Sequence, residues 1–335
     1  TTWYGTGFVG TGASDEIVDW TGVQLAAVVG DKVCMTLADA AEAAKAGDTI
    51  QLIDDTSLSE SLTLPAGVIL DGNGKQINGS IVAGGDLTFV GHTKVTGFSA
   101  SYYNRNITIS QGACLEVNGA DRVTLAYGNT FNVTGNVADA KTIDKSAIKP
   151  SLIIPAGISI TGGNDATINV TDAYVQIGST TSKPGAANGT FTLNITNSIA
   201  EFTKELGFYE PTGGVNPTFK LNLENSILTT EAKLFAANSE INVDNSTIAL
   251  KTNLRNSGVI NLKNGSTLTG ATIQFGENGG NNGEINVDNS TLNVSADIPG
   301  YAFDGKGVGS ITAKNGSTVS VTYYKDMAIT VDATS

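Results

Sequence analysis

One pattern constrains this chain more than any other: apolar and polar residues alternate, run into Asn followed by Ser or Gly-Ser, and alternate again. It recurs at Leu193–Ser198, Leu221–Ser226, Ile241–Ser246, Ile260–Ser266, Ile285–Ser290 and Ile311–Ser317. The turn asparagines, Asn197, Asn225, Asn245, Asn264, Asn289 and Asn315, return at irregular intervals near two dozen residues. Fixed-length helical repeats do not drift in this way, whereas coils with loops of variable length do. Within Ile285-Asn286-Val287-Asp288 and Leu292-Asn293-Val294 the period is two, which puts aliphatic side chains on one face of a strand and polar ones on the other. The joint between the two strands reads as a corner, because only Asn264-Gly265 and Asn315-Gly316 have the turn chemistry of a two-residue hairpin. A chain that bends at each corner and returns after one coil stacks its Ile, Val and Leu in a column. The expected fold is therefore all-β, a parallel β-helix in which each coil bonds to those above and below.

Inward positions such as Val243 and Val287 should then be buried, and outward Asn286 should accept Asp at little cost. The corner asparagines Asn197, Asn225, Asn245, Asn264, Asn289 and Asn315 should stack into a side-chain amide ladder, which gives each corner a physical reason to hold Asn.

The N-terminal half begins differently. Thr36 reads as a helix N-cap with Asp39 three residues on, Ala38–Ala46 is Ala-rich with Glu42 and Lys45, and Gly47 supplies a stop. A short capping helix is expected near 37–46, dividing an N-terminal segment, 1–35, from the β-helix, 36–335. Strand patterning follows, and Pro65-Ala66-Gly67 is echoed by Pro155-Ala156-Gly157. The runs LADAAEAAKAGDTIQLIDD and LTLPAGVILDGNGKQI, within Leu37–Ile77, resemble the N-terminal cap and first coils of right-handed β-helix proteins of the pectate-lyase-like superfamily. The likeness is to the non-catalytic type found in bacterial surface and adhesin-like proteins. It implies right-handed coils and leaves function open, since lyases, hydrolases, tailspikes, adhesins and structural proteins share that fold.

Charge narrows the classes. With 19 Lys and Arg against 32 Asp and Glu the net charge is −13, so nucleic acid is excluded as an electrostatic partner. No apolar run reaches the roughly 18 residues of a membrane span. Cys34 and Cys114 either pair in an oxidising compartment or stay as buried thiols, and with one His they form no Cys/His metal cluster.

Groups for acid–base chemistry are scarce. Arg105, Arg122 and Arg255 are the only arginines and His92 the only histidine. Gly91-His92-Thr93 reads as structural. Asp54-Asp55 is a paired carboxylate whose members point to opposite faces of a strand unless the backbone turns there. Asp71–Gly74 and Glu277–Glu284 are oxygen-rich loops that Ca²⁺ would tolerate, although neither is an EF-hand and no cofactor is required. Tyr102-Tyr103 with Arg105, and Phe208-Tyr209, fall outside the clean repeats and are the candidate ligand-binding residues, for a glycan or a protein. Sequons at Asn245, Asn289 and Asn315 follow from the Asn-Ser-Thr and Asn-Gly-Ser corners.

Assembly has its own candidates. Val319, Val321 and Tyr323, then Met327, Ile329 and Val331, alternate as strands without a helical cap, and bare strands recruit a partner. Trp3, Tyr4, Phe8 and Val9 precede the capping helix in a Gly/Thr-rich stretch; residues 1–22 either add to a neighbouring copy or fold back on their own coils. The expected function is a structural extracellular or cell-surface protein, an adhesin or a subunit of a filament, sheath or surface layer. Its partners would be other copies of itself or surface glycans and proteins. The alternative is a polysaccharide lyase or glycoside hydrolase on acidic glycans. A groove of convergent Asp, Glu, Lys or Arg would mark the enzyme, and ladders of Asn, Thr and Ser the structural coil.

Overall fold

The computed structural model describes residues 25–126, 128–160, 165–182, 189–208, 218–232, 234–271, 273–275, 283–294, 308–321 and 328–334. Among these, strands dominate, joined by the α-helix Leu37–Ala43 and the 3-10 turn Lys145–Ala147. No helix among the described residues is long and apolar enough to cross a membrane.

Parallel pairings run in three columns. The first starts at Thr49–Leu52 and continues in register through Val68–Asp71, Leu87–Val90, Asn106–Ile109, Thr130–Thr134 and Ala166–Thr171 to Gly283–Asp288 and Val308–Lys314. The second runs from His92–Ala100 through Cys114–Val117, Leu152–Ile154, Tyr174–Ile177, Ile199–Phe202 and Ile227–Thr230 to Thr318–Val321. The third takes the end of His92–Ala100, then Val123–Leu125, Ile158–Ile160 and Thr180–Ser182. It continues with Leu206–Phe208 and the first residues of Leu234–Asp244 and Leu254–Lys263. The molecule is a parallel β-solenoid.

Alternation sets the core. Val243 and Val287 are buried as expected, and Ile241, Ile260, Ile285 and Ile311 are wholly buried on the same inward face. Stacking of equivalent positions brings like on like: the Phe191 and Phe219 rings lie 5.7 Å apart and nearly parallel, whereas Phe89 and Phe98 meet edge to face at 5.6 Å.

The N-terminal end is capped. Thr36 is the N-cap, its hydroxyl accepting from the Asp39 amide while the Asp39 carboxylate accepts from the Thr36 amide. Leu37, Ala40 and Ala41 are buried against the first coils. The helix ends at Ala43, short of the Gly47 stop, because Ala44 turns extended and buries its methyl, and the Lys45 amide is taken by the Asp48 carboxylate. Ala27–Val29 and Lys32–Cys34 form an antiparallel hairpin laid against Thr49–Leu52. The division drawn at residue 35 therefore falls inside the cap: 25–35 fold on their own solenoid. Trp3, Tyr4, Phe8 and Val9 lie outside the described residues. At this end the outermost edge is the short strand Lys32–Cys34, a length and a charge that discourage strand addition; at the other end the first column closes on Ala328–Thr334, paired to Val308–Lys314, while Tyr323 and Met327 lie outside the described residues.

Candidate functional site

The outward face of the first column carries a continuous side-chain ladder. Asn169 donates its amide to Asn132 at 2.8 Å, Asn194 to Asn169 at 2.8 Å and Asn222 to Asn194 at 2.8 Å. Asn242, Asn261 and Asn286 extend it at 3.0, 2.9 and 3.0 Å. Parallel strands in register place identical residues about 4.8 Å apart, the spacing an amide-to-amide bond spans. On three successive coils the ladder is flanked by threonines, at Thr130 and Thr134, Thr167 and Thr171, and Thr192 and Thr196. Further along, the flanks are charged and paired between coils, Lys220 with Glu240 at 3.6 Å and Lys314 with Asp288 at 3.2 Å.

The corner asparagines do something else. Asn197, Asn225, Asn245, Asn264, Asn289 and Asn315 all hold φ between 44° and 56°, the left-handed conformation that Asn tolerates better than other residues with a Cβ. Of the ladder expected there, the described bonds give one step, Asn245 to Asn225 at 2.6 Å. Asn197 instead donates to Asp172, Asn264 to Asp244 and Asn315 to Asp288. At Asn264 and Asn315 the partner is the carboxylate that ends the preceding coil's strand, whereas Asp172 is itself a corner residue with φ 50°, so the Asn197 bond joins equivalent corners. Asn315 and Lys314 together hold the Asp288 carboxyl below its usual range. The serine after each corner points inward. The amides of Ser198, Ser226, Ser246, Ser266 and Ser290 each donate to the next serine's hydroxyl at 2.9–3.3 Å. Those hydroxyls donate in turn to nearby carbonyls, as Ser226 does to Glu224, so each buried corner is satisfied.

Asn286 is thus no spare outward position, because it donates to both Asn261 and Glu284. Asn286→Asp removes both donors and sets a carboxylate against two acceptors. The expected cost is about 1–3 kcal/mol in chemical denaturation; a variant as stable as the parent would show that the ladder contributes nothing.

Between Thr130–Thr134 and Leu152–Ile154 the chain leaves the coils as a strap, 135–150, lying over the second column. Val137 and Ala140 bury against Tyr174 and Ile199, with Ile143 and Ile148 alongside. Asn197 donates to the Val137 and Ala138 carbonyls and accepts from the Ala140 amide, and Lys141 donates to Asn245 at 2.6 Å. Ala138, Asp139, Lys141 and Thr142 line a shallow groove with Asn197, Asn225 and Asn245. Lys145 pairs with Glu201, which also accepts from the Tyr174 hydroxyl at 2.5 Å and the Gln176 amide at 3.1 Å. Burial pushes the Glu201 carboxyl up, but Lys145, Tyr174 and Gln176 outweigh it and hold it below the ordinary value of 4.5. A depressed folded-state pKa stabilises fully above the unfolded value and less as pH falls through the folded one. The strap is therefore expected to loosen below pH 4.5, read as faster proteolysis within 135–150, and Glu201→Gln should flatten that dependence. An unchanged acid limb in the variant would assign the loosening elsewhere.

The other candidates are dispersed. Tyr102 and Tyr103 are exposed at the corner after His92–Ala100, and the Arg105 amide there donates to Asn129. Phe208 ends a strand four rungs further along, about 19 Å away at about 4.8 Å per rung, so it shares no site with that pair; Tyr209 lies outside the described residues. Asp54 accepts from the Asp55 amide and Asp55 from the Gln76 amide, which fixes both in a backbone turn. Asp71 accepts from the Asn73 amide and the Gln51 side chain. Of the second oxygen-rich loop, 277–282 lie outside the described residues, and Glu284 accepts from Asn286. His92 lies 3.3 Å from Glu116, Arg122 reaches Ser179, and Arg255 sits in Leu254–Lys263. Cys34 and Cys114 are both free thiols, and burial, with Glu116 adding to it, pushes Cys114 up to about 11. Among the described residues no group of three or more His, Cys, Asp or Glu is placed to hold a metal.

What the fold and its faces define is a class: a parallel β-solenoid whose outward amides bond along its own axis. Comparison with protein-family models, with curated proteins and with solved structures finds no match to this chain.

Proposed function

We propose that this chain is a structural protein of the cell surface or extracellular space, a rigid rod serving as an adhesin or as a subunit of a filament, sheath or surface layer. The run of amide bonds from Asn132 to Asn286 carries the reading, because it commits the most regular polar face to internal axial contacts. The charged flanks support it, being paired from coil to coil. The sequence likeness to non-catalytic, pectate-lyase-like surface proteins points the same way. Incubation with polygalacturonate tests it: neither unsaturated products nor new reducing ends should form, and concentrated protein should associate on light scattering. Turnover of the polymer would overturn the reading in favour of an enzyme on acidic glycans.

A further inference from the structure

The strap interrupts a regular pattern where it crosses the corners. Asn197, Asn225 and Asn245 hold the same corner of three successive coils, and Asn245 donates its side-chain amide to the Asn225 side-chain oxygen at 2.6 Å. Register would send the Asn225 amide on to the Asn197 oxygen in the same way. That oxygen instead accepts from the Ala140 backbone amide of the strap at 3.0 Å, and among the described residues Asn225 Nδ2 meets no acceptor. Asn225 is half-buried and lines the groove between strap and corners. Lys141 lines it from the strap. Its Nζ donates to Asn245, a neutral amide, and makes no ion pair among the described residues. Asp139, also in the lining, accepts from the Lys141 amide through one oxygen and from the Thr142 hydroxyl through the other, which leaves lone pairs on both.

We propose that this groove binds a neutral saccharide, one or two sugar rings laid along the rod axis. The inference deepens the adhesin branch of the structural reading above by naming a ligand class and its place; the filament or layer branch does not depend on it. Hydrogen-bond inventory is the first argument. The groove holds unbonded donors at Asn225 and Lys141 beside open acceptor positions at Asp139, and a hydroxyl both donates and accepts, so neighbouring sugar hydroxyls answer both sets. A carboxylate ligand only accepts and would be set against Asp139. Charge agrees: Lys141 and Asp139 offset each other locally, while the net −13 of the chain repels a polyanion. Length is the third argument, since three corners span about 10 Å at about 4.8 Å per coil, room for a short saccharide. No aromatic side chain lines the groove, so hydrogen bonds alone hold the ligand in contact with water. A single site is therefore weak, with a Kd of about 1 mM, and many copies presented together bind a surface far more tightly.

Saturation-transfer NMR on the full chain tests this with cellobiose, lactose and maltose as neutral probes and digalacturonate as the acidic one. At least one neutral disaccharide should bind, and digalacturonate more weakly. Asn225→Asp keeps the acceptor for Asn245 and tolerates the left-handed corner, so the melting curve should not move while binding weakens about tenfold through loss of the amide donor. Lys141→Met should weaken it similarly. Binding equal in the parent and Asn225→Asp overturns the assigned groove, and tighter binding of digalacturonate overturns the ligand class. No transfer to any neutral probe overturns the proposal outright and leaves the filament or layer reading, which light scattering tests separately.

Discussion

Val287→Asp should lower stability by about 3–5 kcal/mol, the range expected when a charge is left buried without a partner. Val287 is wholly buried, with Leu262 and Ala313 as its register neighbours in the coils on either side. In a stacked repeat each coil contacts only its neighbours, so the damage is local in origin. The melting curve should broaden or split, with coils around 283–314 lost before those near the cap. The penalty should shrink on acidification, because a buried Asp is tolerated better protonated. A single sharp transition at the parental temperature would mean that Val287 does not face the column.

Ala41→Pro should cost about 3 kcal/mol or more, from a lost helical hydrogen bond and a clash with the preceding turn. The consequence exceeds the size of the helix. Leu37, Ala40 and Ala41 are buried with the first coils, and the Ala27–Val29 hairpin strand bonds to the same end. Loosening the cap would expose Thr49–Leu52 as an open edge, so aggregation on heating should begin earlier than in the parent. Equal melting and equal aggregation onset would show that the helix does not seal the solenoid.

How much of this was legible in the chain depends on which residues carry period. Strand alternation fixed the inward column, and Thr36 with Asp39 marked the helix start, because both signals are local. The Asn-Ser corner was visible as a repeat, and of the ladder expected there the described bonds give the Asn245–Asn225 step, while the continuous file lies on the strand asparagines. Asn222, Asn242, Asn261 and Asn286 recur as regularly as the corners, but alternation marks them only as outward and polar. All six corner asparagines share the left-handed φ, so whether one bonds the previous corner, as Asn245 does, or a strand-end carboxylate, as Asn264 does at Asp244, depends on neighbours that the repeat does not mark. The strap was not legible at all. Residues 135–150 show no alternation, and their docking depends on Tyr174, Ile199, Glu201 and Asn245, which are distant in sequence.

The amides of the first column all donate in one direction, each coil's Nδ2 toward the Oδ1 of the coil before it. Peptide groups of a β-sheet largely cancel one another's dipoles. A file of aligned side-chain amides does not, and it polarises along its length as hydrogen-bonded chains do. The rod thereby acquires an electrical head and tail, positive toward Asn132 and negative toward Asn286. Removing the amide of Asn222, in mid-file, should cost more than removing that of Asn132 at its end, and rods lying side by side would favour opposed directions.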